Sequence, residues 1–434
     1  MLSAGRVFLW QSALYAAAQG VTWTMSTVYY VRVVGLDPLQ LILVGTAMEC
    51  ACFLFQVPSG ALADLYSRRG AVIWGTALSG IGIWLMLPWP SFAMVAVGLS
   101  LWGIGVTFVD GALQAWLAEE AGEAEAGRLF LRGAQWAQLG AIAGTAASAG
   151  AASVSLRLPL ALGGAVSMAL ALWLAWGMAE RRQGTRRPVG AGPWRERLVA
   201  ALRDLRGPVT AGWAAVRASA VLPPLLLITA VAAAGSEGWD RLWEARLLRS
   251  FHFPPIAGLH PVAWFAVVAL AAEGASALFL ALLRGPLDRW GSGARSTGRT
   301  LAVLAAVGLA ATLVFGLTGG FAVAVAAVVV QAVSRRIAAP LREGWLVRSV
   351  DAPARATVLS LCGQADALGQ LTLGPVIGLV GTLAGLRAAM LAVAATLAPT
   401  LPLYLRAGGG RVAGRPWPAD RDGRLPPDGT VPPT

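Results

Sequence analysis

Apolar segments long enough to cross a lipid bilayer recur along almost the whole chain. A membrane-spanning helix needs about 20 consecutive, mostly apolar residues. Twelve such windows are present, at residues 7–30, 40–63, 71–88, 91–118, 130–150, 157–178, 220–243, 258–283, 300–317, 320–346, 357–381 and 385–405. They lack the strict alternation of barrel strands, and open sheet edges would leave backbone groups unpaired in lipid. The sequence therefore predicts an all-α, polytopic membrane protein with 12 transmembrane helices.

Composition agrees with lipid as the solvent and argues against several other classes of protein. Of the 434 residues 57% are hydrophobic and only 13% are charged, whereas soluble domains contain about 25% charged residues. All 34 basic residues are arginine, which removes the lysine that a P-loop or a Schiff-base enzyme requires. The net charge of +12 resides in loops, so we expect no nucleic-acid partner. We also expect no enzyme activity and no cofactor.

The few histidines and cysteines do not form a pattern typical of a metal site. His252 and His260 share one loop-like stretch, and Cys50 and Cys52 lie about 200° apart around a predicted helix. Cys362 is remote in sequence from both groups. We therefore predict no bound metal.

An arginine-rich interruption divides the chain into two halves of six predicted helices. We expect an N-terminal six-helix bundle over residues 1–180, a cytoplasmic linker over 181–219, a C-terminal six-helix bundle over 220–406 and a disordered cytoplasmic tail over 407–434. In the linker, apolar residues recur at three-to-four spacing opposite arginines, as in a helix that lies on an anionic leaflet: Trp194, Leu198, Leu202 and Leu205. A loosely solvated linker is the alternative.

The distribution of arginine predicts the orientation in the membrane. Loops on one side hold 28 of the 34 arginines and loops on the other side hold 6, and cytoplasmic loops carry the excess of positive charge. We therefore expect a multi-pass protein of the inner membrane with both termini in the cytoplasm. Ala16–Ala18 could pass for a signal-peptidase site, but the apolar run continues to Tyr30, which is too long for a signal peptide.

Acidic and other polar side chains occur inside the apolar windows. A charge near the bilayer centre costs about 2.5–3.5 kcal/mol on insertion scales, so such residues normally face a cavity, a partner or a proton path. Four carboxylates qualify: Glu49, Asp110, Glu273 and Asp366. The alternative is a protonated acid that serves helix packing alone.

Polar stripes accompany these carboxylates and predict a shared watery passage. We expect the substrate and proton pathway to use residues of the first, second, fourth, seventh, eighth and eleventh predicted helices: Gln11, Tyr15, Gln19, Thr22, Glu49, Thr107, Asp110, Gln114, Ser236, Glu237, Asp240, Glu273, Asp366 and Gln370. The 18 tryptophans could stack on a flat aromatic substrate, but many fall at window ends, where indoles anchor at the membrane interface.

The loop after the second predicted helix reads Gly60-Ala-Leu-Ala-Asp64-Leu-Tyr-Ser-Arg68-Arg69-Gly, and the second half repeats it more weakly as Asp288-Arg289-Trp-Gly291. In position, length and most residue types this loop resembles the G-x-L-A-D-R-x-G-R-K loop of the major facilitator superfamily. Glycines let the helices turn sharply, and the resemblance implies a gating loop in which Asp64 holds the start of helix eleven near Thr357. Alternatively, Arg68 and Arg69 merely enforce topology.

The resemblance implies the superfamily's fold of two pseudo-symmetric six-helix bundles, and secondary active transport of a small molecule by alternating access. Residues 110–117 and 236–243 look like stretches of bacterial drug and small-molecule exporters. The leading hypothesis is proton-coupled efflux of an amphipathic substrate by a monomer in the lipid bilayer. Uptake by symport or uniport, and a non-transporting receptor or scaffold, are the alternatives.

Overall fold

A computed structural model describes residues 3–180, 216–217, 221–256, 261–283, 285, 293–350 and 355–409. The expected amphipathic linker helix, the second loop copy with Asp288, Arg289 and Gly291, and residues 410–434 of the predicted tail lie outside this range. Residues 407–409, predicted as the start of that tail, are helical instead. The described residues contain helices and no strand, so the all-α prediction is confirmed.

The first half forms eight helical elements, which we call the N bundle. They are α1 (Ala4–Trp23), α2 (Ser26–Tyr29, continued by a π-helical turn Tyr30–Val34), α3 (Pro38–Leu65), α4 (Arg68–Leu85), α5 (Phe92–Val109), α6 (Ala112–Ala121), α7 (Glu123–Val154) and α8 (Leu158–Gly177). The second half, the C bundle, contains α9 (Leu222–Ser250), α10 (Ala263–Leu282), α11 (Ala294–Leu317), α12 (Phe321–Arg348), α13 (Arg355–Leu397) and α14 (Thr400–Gly409).

Within the described residues, the twelve apolar windows fall on these helices, but glycine interrupts one of the predicted segments. The fourth window is broken because Gly111 adopts a left-handed φ of 76° between α5 and α6. Gly385, with a φ of 87°, bends α13 between the last two windows. Seven segments of the described chain are long and apolar enough to span a membrane by themselves.

The helix pairs of the N bundle recur in the C bundle. Helix α1 packs along α7 and α8, and α9 packs along α13 and α14 in the same way. The pairing of α3 with α5 recurs as α10 with α12, and the contacts of α4 with α5 and α8 recur as those of α11 with α12 and α14. The two halves are therefore pseudo-symmetric, as an internal repeat requires.

Glycine allows the backbones of the main helix pair in each bundle to touch. A Cβ atom at Gly140 or Gly144 of α7 would clash with the carbonyl oxygen of Ala13 or Ala17 of α1. In the C bundle a Cβ atom at Gly369 of α13 would clash with the carbonyl oxygen of Ala230 of α9. Close contact of small residues is a main source of helix association in lipid, where burial of apolar surface gives little.

The bundles meet on the side where α3 begins, which we call the closed side. The Thr382 hydroxyl of α13 donates to Asp37 at 3.2 Å and accepts from the Leu39 amide at 3.0 Å. The Arg249 guanidinium of α9 donates to the Leu36 carbonyl at 2.7 Å. The opposite side, where the chain starts at α1 and where α14 ends, is the terminal side.

We predict that Gly144→Ala destabilises the protein, because the added methyl group collides with the α1 backbone, which cannot move aside as a flexible side chain can. Overpacking of this kind costs about 1–3 kcal/mol. The measurement is the thermal unfolding midpoint of the detergent-purified protein. Gly150→Ala on the same helix is the matched control, since nothing lies within 4 Å of its added Cβ. Equal midpoints for the two variants would contradict the packing argument.

Candidate functional site

A charged group lies at the interface of the two bundles, where α9 passes α3. Glu237 is 6% exposed and its carboxylate accepts from the Arg241 guanidinium one turn later at 2.9 Å. Any side chain at Gly45 of α3 would collide with both groups. Gly45 therefore allows the Glu237–Arg241 ion pair of the C bundle to pack directly against α3 of the N bundle.

One further carboxylate predicted from the sequence, Glu49, lies near this ion pair, and a second, Asp366, lies near Glu49. Glu49, one turn after Gly45 on α3, is close enough to Glu237, Arg241 and Asp366 to interact electrostatically with all three. We call these four residues the interface group; Asp366 lies on α13 and accepts from Gln370 at 2.7 Å. The structure thus gathers predicted acids from both bundles around one arginine.

The N bundle continues this polar surface with α1 and the break after α5. Tyr15 of α1 lies near Gln19, one turn later, and within electrostatic range of Asp110. Gln19 accepts a hydrogen bond from the Trp23 indole at 2.6 Å. Asp110 was expected inside a helix but ends α5 in an extended conformation with a ψ of 135°. The carboxylate therefore sits where the helix is interrupted by Gly111.

Other members of the predicted stripes are used inside the N bundle. Gln11 is 2% exposed, and Thr22 is fully buried and packs against Gly163 of α8. The Thr107 hydroxyl donates to the Ile104 carbonyl of its own helix at 2.8 Å. Gln114 is exposed on α6. Gln11 and Thr22 are therefore buried in helix packing, because α1 packs along α7 and α8.

A second polar region is a cavity of about 570 Å³ within the C bundle, bounded by α9, α10, α11, α12 and α14. Three predicted residues line it: Ser236, Asp240 and Glu273. We call it the C-bundle cavity.

The carboxylates of the C-bundle cavity are paired with arginines of α12. Asp240 accepts two hydrogen bonds from Arg335, at 2.6 and 2.9 Å. Glu273 is paired in the same bidentate way with Arg336. Bidentate geometry is the strongest form of the arginine–carboxylate pair, so each cavity acid is held by a cation from another helix.

Arg335 and Arg336 are two of the 28 arginines that the charge distribution assigned to cytoplasmic loops, and for these two the assignment is wrong. The structure places them well inside α12, which runs to Arg348. A charge is tolerated in an apolar helix when it faces a cavity and is paired. The spacing of Gln331, Arg335 and Arg342, at intervals of four and seven residues, was the available signal for a polar face.

One hydrogen bond joins the C-bundle cavity to the other bundle. The Gln138 amide of α7 donates to Glu273 of α10 at 3.2 Å. The Glu273 carboxylate is therefore shared between an arginine of its own bundle and an amide of the opposite bundle. A change in either contact therefore alters the position of a side chain that both bundles share.

The predicted gating loop is shorter than expected and is bound to its own bundle. Helix α3 continues to Leu65 and α4 begins at Arg68, so Gly60 is helical and the prediction that it forms a turn is wrong. Arg68 pairs with Asp64 at 2.9 Å and with Glu119 at 2.5 Å.

The neighbouring residues attach the same loop to the end of α8. The Ser67 hydroxyl and the Arg68 amide both donate to Glu180, at 2.6 and 3.0 Å. Arg69 donates to the Ala175 carbonyl at 2.5 Å. The loop therefore locks α3, α4, α6 and α8 together, while the side chain of Thr357, the expected partner of Asp64, lies outside the described residues.

Within the described ranges no cluster of three or more histidine, cysteine or acidic side chains could hold a metal ion.

Comparison with known proteins gives this architecture a family. The sequence profile of the Major Facilitator Superfamily matches residues 8–238. The uncharacterized MFS-type transporter YxaM of Bacillus subtilis (strain 168) is 26% identical over 170 residues, which are 39% of this chain and 42% of the relative. That alignment spans less than half of the relative's length.

Solved structures with the same fold cover nearly the whole chain. A bacterial homologue of the human lysosomal transporter Spinster, inward-facing and unoccupied, matches with a TM-score of 0.70 and 16% identity over 94% of this chain and 96% of that one. The nucleoside transporter NupG matches with a TM-score of 0.69 and 13% identity over 94% and 98%. At this identity the structures establish the fold. The profile match covers more than half of the sequence, and the chain belongs to the major facilitator superfamily.

Proposed function

We propose that this protein is a secondary active transporter that exports a small amphipathic molecule in exchange for protons. The observation that carries the proposal is the interface group, in which Glu49 of the N bundle faces Glu237, Arg241 and Asp366 of the C bundle. Carboxylates inside membrane helices commonly form proton relays. When acids of two moving bodies share one arginine, their protonation and the relative position of the bodies are linked.

Alternating access follows from two rigid bundles with a polar site between them. The inter-bundle hydrogen bonds of the closed side, from Thr382 of α13 and Arg249 of α9, can form only while these helices lie against the start of α3. One of the solved structures with this fold is an inward-facing transporter. We place this conformation in the same class, open towards the terminal side.

The direction of transport depends on the orientation of the chain. The loops predicted from the sequence to lie on the terminal side hold most of the arginines, and this predicted asymmetry persists after Arg335 and Arg336 are assigned to α12. Cytoplasmic termini in the inner membrane are therefore our proposal. A passage open to the cytoplasm loads substrate from inside, as an exporter requires. The carrier acts as a monomer, without a cofactor or an enzymatic step.

The test of export begins with a growth-inhibition panel in cells with and without the chain. The panel contains anionic, neutral and cationic amphiphilic inhibitors. A compound to which expression confers resistance then becomes the flux probe in proteoliposomes with an imposed pH gradient. Antiport predicts that the probe moves against the direction of the proton. Movement together with the proton, or movement indifferent to the gradient, would replace export with symport or uniport.

We predict that Glu49→Gln abolishes flux driven by the pH gradient but leaves exchange of labelled for unlabelled probe at equal pH. The amide keeps the size of the side chain and removes its proton-binding site. Glu123→Gln, at an exposed acid in the first turn of α7, is the matched control and should behave as wild type. If Glu49→Gln retains gradient-driven flux, Glu49 carries no coupling proton.

We also predict that Thr382→Val opens the closed side, because it removes the hydroxyl that joins α13 to Asp37 and Leu39. Thr372→Val is the matched control on the same helix, since that hydroxyl donates only to carbonyls of α13 itself. Spin labels at Arg32 and Leu383, with the native cysteines replaced by serine, report the opening by electron–electron double resonance. A longer distance component should appear in Thr382→Val alone; its absence would show that the hydroxyl does not hold the closure.

A further inference from the structure

The C-bundle cavity contains one positive charge more than its ion pairs neutralise. Asp240 is matched by Arg335, and Glu273 is matched by Arg336. The fifth charged residue of its lining, Arg342, forms no ion pair with any carboxylate of the described chain. Its guanidinium lies near Tyr404, a neutral side chain that also lines the cavity. An unneutralised guanidinium in a partly apolar cavity attracts an anion.

A second, independent feature of the same cavity is an unsatisfied acceptor. Gln331 is only 3% exposed and lines the cavity. Its Oε1 atom has no hydrogen-bond donor. A buried acceptor without a hydrogen-bond donor lowers the stability of the fold by about 1–3 kcal/mol. A ligand with a hydroxyl or amine group would supply the missing donor.

The cavity is long, and its chemistry changes along its length. Its α12 wall runs from Val328 to Arg342, a rise of about 21 Å at 1.5 Å per residue. Arg342 and Tyr404 lie towards the terminal side. Trp239 and Trp243 of α9 line the part nearer the closed side and make it apolar and aromatic.

We infer that the C-bundle cavity binds an elongated amphipathic organic anion, with its acidic group on Arg342 and its apolar body against Trp239 and Trp243. A hydrogen-bond donor further along the molecule pairs with Gln331. This inference rests on the proposed function and deepens it, because it assigns the charge and shape of the transported substrate.

The same chemistry discriminates against cations and neutral amphiphiles. A cationic group would have to displace an arginine from Asp240 or Glu273, and each of those pairs is bidentate. A neutral molecule of equal length would leave Arg342 unneutralised. Both a water-soluble arylalkyl carboxylate and a single-chain lipid phosphate satisfy the requirements of the site.

The test is equilibrium binding by calorimetry to the full chain in phosphatidylcholine nanodiscs, with empty nanodiscs as blank. Three probes share one body and differ in charge: 6-phenylhexanoate, 6-phenylhexanamide and 6-phenylhexylamine. We predict that the carboxylate binds on the order of tenfold to a hundredfold more tightly than the amide, the ratio expected for a hydrogen bond to a charged group. Dodecyl phosphate is the lipid-like arm.

Binding by the carboxylate alone assigns a soluble acid, binding by dodecyl phosphate alone assigns a lipid anion, and binding by both supports the shared chemistry. Binding of neither anion, or equally tight binding of the amide or amine, overturns the inference.

We predict that Arg342→Gln removes the preference for the carboxylate over the amide and that Arg342→Lys restores part of it. Arg299→Gln, an exposed arginine of α11, is the matched control and should keep the preference. Unfolding midpoints of all variants verify that each is folded. A folded Arg342→Gln protein that still prefers the carboxylate contradicts the assignment.

Gln331→Leu distinguishes a ligand-binding role of Gln331 from a purely structural one. Removing an unsatisfied buried acceptor should leave the ligand-free protein at least as stable as wild type. We predict that 6-(4-hydroxyphenyl)hexanoate binds wild type more tightly than 6-phenylhexanoate, and that Gln331→Leu cancels this gain. A lowered unfolding midpoint together with an unchanged gain would show that Gln331 serves packing instead.

Failure of this inference is distinguishable from failure of the proposed function. Anion binding without flux in proteoliposomes would retain the site and reject transport. Gradient-driven flux of a neutral or cationic probe, without anion binding, would retain the transporter and reject the anion site.

Discussion

Direct contact between helix backbones, at glycines where any side chain would collide with the neighbouring helix, is the constraint on which the rest of this structure depends. Lipid is as apolar as leucine, so burying leucine between two membrane helices gains little, and close packing must supply the attraction. Gly140 and Gly144 bring α7 onto α1, and Gly369 brings α13 onto α9 at the corresponding place in the other half. Because these pairs are tight, each bundle can move as a body. The two bundles also pack against each other along α3 and α13, with apolar residues of both such as Ile42 and Ile377 in one buried cluster, and the Thr382 and Arg249 hydrogen bonds add to this contact.

Polar chemistry is then placed where the rigid bodies leave room for it. At the interface, Gly45 creates the space in which the Glu237–Arg241 pair approaches α3 and Glu49. In the C bundle, α12 supplies arginines to acids on α9 and α10. An ion pair that spans two helices fixes their relative rotation, and it leaves the cavity with a defined charge. The shared Glu273 carboxylate connects this cavity to Gln138 of the N bundle. Occupation of the cavity and movement of the bundles therefore involve the same side chain.

The two halves share a fold but differ in their polar content. In the N bundle, part of the predicted polar stripe is buried between helices: Thr22 contacts α8, and Gln11 is buried. The loop at Asp64 and Arg68 serves to hold four helices of one bundle together. The C bundle instead keeps its polar groups around an open volume, where Arg342 and Gln331 lack protein partners that would match their charge or hydrogen-bonding capacity. Divergence of two repeats in this way gives a symmetric scaffold an asymmetric site.

The sequence by itself determined the all-helical architecture, the division into two halves and the presence of embedded acids such as Glu49 and Glu273. These properties depend on local hydropathy and length, which lipid imposes on each segment separately. Only the tertiary structure decided the partners: that Arg335 and Arg336 belong to the bundle interior, that Thr22 packs against α8, and that Asp110 ends a helix at Gly111. Helical spacing states which residues share a face. Which neighbour that face meets is set by the rotation and crossing of helices distant in sequence, and no local pattern records it.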